Sequence, residues 1–229
     1  MKLLAIETAT EACSVALLVN GILTTRSELA PRRHAELLLP MCDEVFAEAG
    51  IARSQLDAIA VGRGPGAFTG VRLAVSAAQG IALGLDRPIV AVSSLAALAL
   101  DAPDNGAPIL ALIDARMGEV YAGCFIRDGR WLLRGVGAET VGPADQVDFP
   151  TEAMNIVGSG WETYHAILEA RLANPAMHCD GRCYPQAGAI ARLAAPMFAA
   201  GMACDPGDIR PVYLRDKVAL TLVQQRQGR

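Results

Sequence analysis

The sequence predicts an α/β protein made of two tandem copies of one β-β-β-α-β-α unit, each with a mixed sheet. Three observations predict it. The chain opens with a buried strand that ends in an acid and leads into a hairpin. The same order of features returns in the second half. After each opening, segments with strand and helix periodicity alternate, which is typical of α/β folds.

The first opening contains predicted strands over residues 2–8, 13–19 and 22–25. Asn20-Gly21 supplies the positive-φ turn of a tight hairpin between the last two. In the second half the strands are 109–115, 119–126 and 131–133, with the turn at Asp128-Gly129. Recurrence in near register indicates an internal duplication. Two unrelated hairpins are the alternative, because such turns are common.

The segments that follow each opening are predicted from apolar spacing and capping residues. In the first half they are a helix over 32–49 that Pro40 starts or kinks, a strand over 56–61, a helix over 69–85, a strand over 88–92 and a helix capped by Ser93 or Ser94 and running to residue 100. In the second half they are a strand over 155–157, a helix over 161–173 and a helix over 186–200 that Pro196 should break.

The Pro- and Gly-containing stretch 103–108 is a predicted linker, which divides the chain into lobes 1–102 and 103–229. Two such lobes in tandem describe the duplicated actin-like or Hsp70-like (ASKHA) architecture, which holds a nucleotide between its lobes. Fold analogy shows where to look for a ligand but does not establish one. The positions to consider as cofactor-binding residues are Glu7, Thr8, Thr10, Asp114, Arg116 and Gly158.

The predicted cleft lacks the features of a working nucleotide site. The segments around Glu7 and Asp114 are without the glycines that let backbone close on phosphates, and Arg116 is bulky. A degenerate cleft is therefore favoured and no resident cofactor is predicted, although ATP or ADP at a subunit boundary stays open.

Composition and charge narrow the class of protein. The chain has 229 residues, 52% of them hydrophobic and 5% aromatic, and a formal net charge of −4. The longest apolar run, 89–100, is shorter than the ~20 residues of a membrane span, and an acid at position 7 interrupts any signal-peptide core. We expect a cytoplasmic protein without a membrane segment. Without a basic run beyond Arg32-Arg33, it should not grip nucleic acid directly.

The sequence contains few residues in the patterns typical of catalytic or metal-binding sites. The three histidines, His34, His165 and His178, are never four residues apart, and the chain has neither H-E-x-x-H nor G-x-S-x-G. His178 to Cys183 offers only three soft ligand atoms, too few for a zinc site. No catalytic residue and no metal ligand is predicted.

The glycine-rich segment 61–72 opens a helix. Backbone N–H groups at a helix start can hold an anion, but neither the P-loop nor the G-x-G-x-x-G spacing is present. A structural turn with Thr69 as N-cap is favoured over a phosphate loop. Small residues leave the helix smooth. The stripe that would face the sheet is Val71, Val75, Ala78 and Ala82. The second small-residue face either packs on something else or is buried within the helix's own domain.

Four segments together resemble the TsaB (YeaZ) family: 1–18, 32–40, 62–80 and 114–121, with 211–215 fitting as well. The resemblance implies a non-catalytic paralogue of the catalytic subunit TsaD in the complex that makes N6-threonylcarbamoyladenosine at position 37 of tRNA. It implies TsaD and the ATPase TsaE as partners, and a homodimer when TsaD is absent. A stand-alone actin-fold ATPase or small-molecule kinase is the alternative.

The resemblance also places the partner surface on the helices over 34–49 and 69–85. The residues it implies for that surface are Arg33, His34, Leu37, Leu38, Met41, Thr69, Arg72, Leu73, Ala74, Ser76, Ala77, Ala78 and Ile81.

Overall fold

The structure, a computed structural model, describes residues 1–215 and places their strands in two five-stranded sheets. Sheet A has the order β3-β2-β1-β4-β5. Its strands are β1 (Lys2–Glu7), β2 (Ala12–Val19), β3 (Ile22–Leu29), β4 (Ala58–Gly62) and β5 (Ile89–Val92). Sheet B has the order β10-β9-β6-β7-β8. Its strands are β6 (Ile109–Arg116), β7 (Glu119–Arg127), β8 (Leu133–Pro143), β9 (Asn155–Val157) and β10 (His178–Asp180).

The two sheets have the same topology. In each, the first three strands form an antiparallel meander, the first pairs in parallel with the fourth, and the fourth pairs in parallel with the fifth. The order from the third strand is therefore third, second, first, fourth, fifth in both. This confirms the predicted fold class, a duplicated α/β protein with mixed sheets.

Five helices complete the described chain, and the two halves use them unequally. They are α1 (His34–Ala49), α2 (Phe68–Leu85), α3 (Ser94–Leu100), α4 (Ser159–Glu169) and α5 (Ala187–Ala199). Helix α1 joins the third and fourth strands of sheet A, whereas a single 3-10 turn, Ala144–Gln146, takes that place in sheet B. The pair α1 and α2 therefore belongs to the first half alone.

The last helix of each half packs on the opposite sheet. Leu95 and Leu98 of α3 lie in one apolar cluster with Ile109 of β6, and Ile190 of α5 lies in another with Leu3 of β1. The proposed lobe boundary at 102 and 103 falls between the two sheets, yet α5 packs across it onto sheet A. As a division into domains it stays a proposal.

Several predicted elements have different bounds in the structure. The last strand of the second meander starts at Leu133 and has 11 residues, and strand β10 was not predicted. Pro196 lies inside α5 and does not end it, because burial of the helix on sheet A outweighs one lost backbone hydrogen bond. Ser93 caps α3 as predicted, its Oγ accepting from Ala96 N at 3.2 Å.

Candidate functional site

The connection from β4 into α2 is glycine-rich because it packs against the end of β1. A Cβ at Gly62 would collide with Glu7 Oε2, one at Gly66 with Ala9 O, and one at Gly70 with Thr8 O. These three glycines recur at four-residue spacing and face residues 7–9. Their role is close backbone packing within the chain, which explains the motif without a phosphate.

Helix α2 starts one residue earlier than predicted and is capped differently. Ala67 is the N-cap, with no side-chain hydrogen bond, and Thr69 is exposed in the first turn. The prediction that Thr69 caps the helix was therefore wrong. Gly66 and Ala67 turn the chain by backbone contacts instead, and Ala67 N donates to Ala9 O at 2.7 Å.

One stripe of α2 packs on sheet A. Val71, Val75, Ala78 and Ala82 are buried there, as the sequence predicted, and Ala74 joins them. Ala74 and Ala78 have no exposed surface, so the expectation that they lie on a partner surface is corrected. A charged residue at either position would enter the core of the monomer and unfold it.

The opposite side of α2 is open. Ser76, Gly80 and Gly84 are exposed, and Leu83 is 65% exposed. A Cβ at Gly80 or Gly84 would meet no atom within 4 Å. A second backbone could therefore approach this face closely. The residues expected at the partner surface did not include Gly80, Leu83 or Gly84, although the four-residue spacing of the two glycines places them on one helix face.

The remaining residues expected at the partner surface lie at different depths. Leu38 and Met41 of α1 are buried in the same core, because they face the sheet. Arg33 is exposed and pairs with Glu28 at 3.0 Å, and His34 Nε2 donates to Thr10 O at 2.9 Å. Leu37, Arg72, Leu73, Ala77 and Ile81 are partly buried, while Thr69 and Ser76 are exposed. The expectation that Leu38 and Met41 lie on a partner surface is therefore corrected, as for Ala74 and Ala78, while partner contact at the exposed and partly buried positions stays a proposal.

The segment 206–215 runs along one flank of α2. Gln79 Nε2 donates to Pro206 O at 2.9 Å, and Tyr213 stacks near Phe68 with ring centroids 5.9 Å apart. Further on, Arg215 Nη2 donates to Ala115 O of sheet B at 3.0 Å and pairs with Glu119. This segment therefore fastens α2 to the second sheet.

The cleft between the sheets holds a cavity of about 240 Å³. Among the residues proposed for cofactor binding, Thr10, Asp114 and Arg116 line it. Glu7, Thr8 and Gly158 do not: Thr8 Oγ1 donates to Gly70 O at 2.7 Å, and a Cβ at Gly158 would collide with Leu112 O. The segment 212–215 forms one wall of the cavity.

Glu7 is fully buried at the end of β1. Its carboxylate accepts hydrogen bonds from Ser94 Oγ at 2.7 Å and Ala9 N at 2.6 Å. Removal from water raises the pKa of Glu7 to about 7, and these hydrogen bonds offset the shift only in part. Glu7 thus joins β1 to the start of α3 and has no surface toward a ligand.

The acid of the second half is also engaged within the chain. Asp114 Oδ2 pairs with Arg116 Nη1 at 2.7 Å, and Tyr164 donates to Asp114 Oδ1 at 3.1 Å. Arg116 in turn pairs with Glu11 across the cleft at 2.5 Å. Arg116 and Met117 both have positive φ. The Asp114 contacts hold this strained turn at the mouth of the cleft.

Within residues 1–215, α2 is the one helix that is long and apolar enough to cross a membrane. One stripe of this helix packs on sheet A. Within residues 1–215, no three His, Cys, Asp or Glu side chains are grouped as metal ligands.

Comparisons with known proteins place the chain in a family. The family model described as "TsaD: tRNA N6-adenosine threonylcarbamoyltransferase" matches residues 21–221. The Escherichia coli (strain K12) tRNA threonylcarbamoyladenosine biosynthesis protein TsaB is 38% identical over 225 residues, covering 96% of each chain. The solved structure titled "YeaZ from Pseudomonas aeruginosa" has a TM-score of 0.86 and 43% identity, covering 93% of this chain and 99% of that one.

A further relative connects the chain to a transferase. The tRNA N6-adenosine threonylcarbamoyltransferase of Jannaschia sp. (strain CCS1) is 52% identical over 73 residues, which are 32% of this chain and 20% of that protein. The TsaB relative, by contrast, is matched over 96% of this chain and 96% of its own length. This chain therefore belongs to the TsaB family of tRNA threonylcarbamoyladenosine biosynthesis proteins.

Proposed function

We propose that this chain serves tRNA threonylcarbamoyladenosine biosynthesis as a docking subunit that binds and activates a TsaD subunit and catalyses no step itself. The docking surface is the outward face of α2, defined by Ser76, Gly80, Leu83 and Gly84, with α1 beside it. In the absence of TsaD, a second copy of this chain takes the same face. TsaE joins the assembled pair.

The observation that carries the proposal is that this face of α2 has no charged side chains. A long helix normally covers its outer side with charged residues, but α2 presents serine, glycine and leucine there. Exposed apolar surface of this kind marks a protein–protein contact. Small residues let a partner helix approach closely, which increases dispersion contacts along both helices.

Similarity to TsaD supports a TsaD-like partner. The chain matches the TsaD family model over 21–221, so partner and chain share one architecture. Related chains commonly pair through equivalent surfaces about a two-fold axis. The restriction of the α1 and α2 pair to the first half gives such a contact a single place on each chain.

The state of the cleft supports a role without catalysis. Glu7 is buried and bonded to Ser94, and Asp114 is bonded to Arg116 and Tyr164. Both acids are thus used to hold the chain together. If the alternative function were correct, isothermal titration of the purified chain with Mg-ATP would give micromolar binding together with turnover; the proposal predicts neither.

Binding of purified TsaD to Gly80→Arg tests the surface. The arginine enters open space, so the monomer should keep its melting temperature, while the bulky side chain holds the two helices apart and weakens TsaD binding by about 100-fold or more. Ala166→Arg is the matched control, because it adds the same side chain to an exposed position of α4.

Sedimentation of the same variants tests self-pairing. Wild type and Ala166→Arg should dimerise without TsaD, and Gly80→Arg should remain monomeric. Unchanged TsaD affinity in a folded Gly80→Arg protein would show that the docking surface lies elsewhere.

A further inference from the structure

The Arg72 guanidinium contacts two exposed aromatic rings at the N-terminal end of α2. Its guanidinium carbon is 3.1 Å from the ring centroid of Phe68 and 4.8 Å from that of Tyr213. Phe68 is 56% exposed and Tyr213 is 48% exposed. Close contact with the Phe68 ring and the nearby Tyr213 ring restricts the orientation of the guanidinium and leaves its positive charge in place.

That charge has no acidic counterpart among the described residues. Arg33, Arg116 and Arg215 each pair with a carboxylate within 4 Å, but Arg72 pairs with none in residues 1–215. In addition, Arg72 Nη1 is buried and has no hydrogen-bond partner within residues 1–215. An unsatisfied buried donor is unfavourable, and a carboxylate is the group that satisfies a guanidinium most fully.

The position of the stack continues the open face of α2. Phe68, Arg72, Ser76, Gly80 and Gly84 follow one another at four-residue spacing, so they form one row along the helix surface. A partner helix seated on the glycine end of this row would pass the stack at the other end. Aromatic and arginine side chains of this kind dominate the binding energy of protein interfaces.

We propose that the Arg72 guanidinium, packed against Phe68 and Tyr213, receives a carboxylate side chain of the protein partner and fixes that partner's register on the α2 row. The proposal rests on the proposed docking function and specifies the chemistry of one end of the surface. A partner carboxylate is favoured over an RNA phosphate because the chain has a net charge of −4, which opposes approach of a polyanion.

The test measures TsaD affinity at low and high salt for three variants. Arg72→Gln removes the charge and should weaken binding by at least about 30-fold and flatten its salt dependence. Arg72→Lys keeps the charge but loses the planar stack, so it should recover binding only in part. Arg130→Gln is the matched control, since it removes another guanidinium, 4.9 Å from the ring centroid of Trp131.

Double-mutant cycles then identify the carboxylate. Exposed Asp and Glu residues of TsaD are changed singly to Asn or Gln and titrated against wild type and Arg72→Gln. One of them should weaken binding to wild type and have no further effect on Arg72→Gln. The proposal is overturned if none couples, or if Arg72→Gln binds like wild type. If either result is found while Gly80→Arg still loses TsaD binding, the Arg72 contact is refuted and the docking function is retained. If the wild-type chain itself does not bind TsaD, the Arg72 contact and the docking function are both refuted.

Two other sources of the anion are distinguished in the same experiment. Asp216 is the one acid in the sequence after residue 215. If Asp216→Asn weakens TsaD binding as much as Arg72→Gln does, and the two changes are not additive, the carboxylate belongs to this chain and the proposal fails. It also fails if Arg72→Gln leaves TsaD affinity intact but reduces retention of tRNA by the assembled complex.

Discussion

At the residue scale, two glycines of the same helix have opposite surroundings. A Cβ at Gly70 would collide with the backbone of Thr8, whereas one at Gly80 would meet nothing within 4 Å. We expect Gly70→Ala to lower the free energy of unfolding by on the order of 3 kcal/mol. Gly80→Ala should raise it by about 0.5–1 kcal/mol, because alanine is the better helix former. Urea denaturation of the two variants measures both, and equal effects would contradict the assigned roles.

Glu7 should make stability depend on pH. Its pKa rises from 4.5 in the unfolded chain to about 7 in the folded one, so the folded state holds the proton more tightly. The protonated Glu7 therefore adds on the order of 3 kcal/mol to the free energy of unfolding below pH 4.5. This contribution is lost as the pH rises from 4.5 through 7. Glu7→Gln keeps an acceptor for Ala9 N and removes the titration. Denaturation between pH 5 and 8 should show a flatter profile for the variant; an identical profile would refute this role for Glu7.

At the element scale, local sequence signals predicted the meanders well and the second half less well. Asn20-Gly21 and the alternating strands on either side define the first hairpin, and Ser93 defines the start of α3. Strand β8 was underestimated because Gly135, Gly137 and Gly142 weaken the strand pattern, while pairing with β7 holds it in the sheet. Tertiary packing outweighed the local preference of Pro196.

Prediction of the partner surface from sequence was limited in the same way, because tertiary packing decides which residues are exposed. Sequence pattern gave a smooth helix with a sheet-facing stripe, but it could not rank Ala74 and Ser76, two small residues, by depth. The structure separates them because Ala74 contacts the core around β4 and Ser76 points to the open side. For the same reason the aromatic stack at Arg72 was not predictable, since Tyr213 arrives from a distant part of the chain.

Helix α5 supplies a prediction at this scale. Ile190 is fully buried among residues of sheet A, although it follows the strands of sheet B in sequence. Ile190→Ala should cost about 2–5 kcal/mol. Hydrogen exchange of the variant should speed up in β1 and β2 as well as in α5. Faster exchange confined to sheet B would contradict the packing of α5 across the lobes.

At the scale of the whole molecule, the duplication produces two equal sheets and an unequal surface. In the described part of the chain only the first half carries a helix pair like α1 and α2, and segment 206–215 fastens that half to sheet B through Arg215. The exchange of α3 and α5 between the sheets makes the halves depend on each other. A fragment ending at residue 102 would lack α5 over sheet A, so we expect it not to give a cooperative unfolding transition by circular dichroism. A stable fragment would show that the lobes are independent domains.

The central claim is that the chain acts through the open face of α2. The direct measurement is the yield of threonylcarbamoyladenosine in tRNA when purified TsaD, TsaE and the enzyme that supplies the threonylcarbamoyl donor are combined with this chain. We expect full yield with wild type and Ala166→Arg, and loss of product both on omission of the chain and with Gly80→Arg. Full yield with folded Gly80→Arg, or product made by this chain without TsaD, would contradict it.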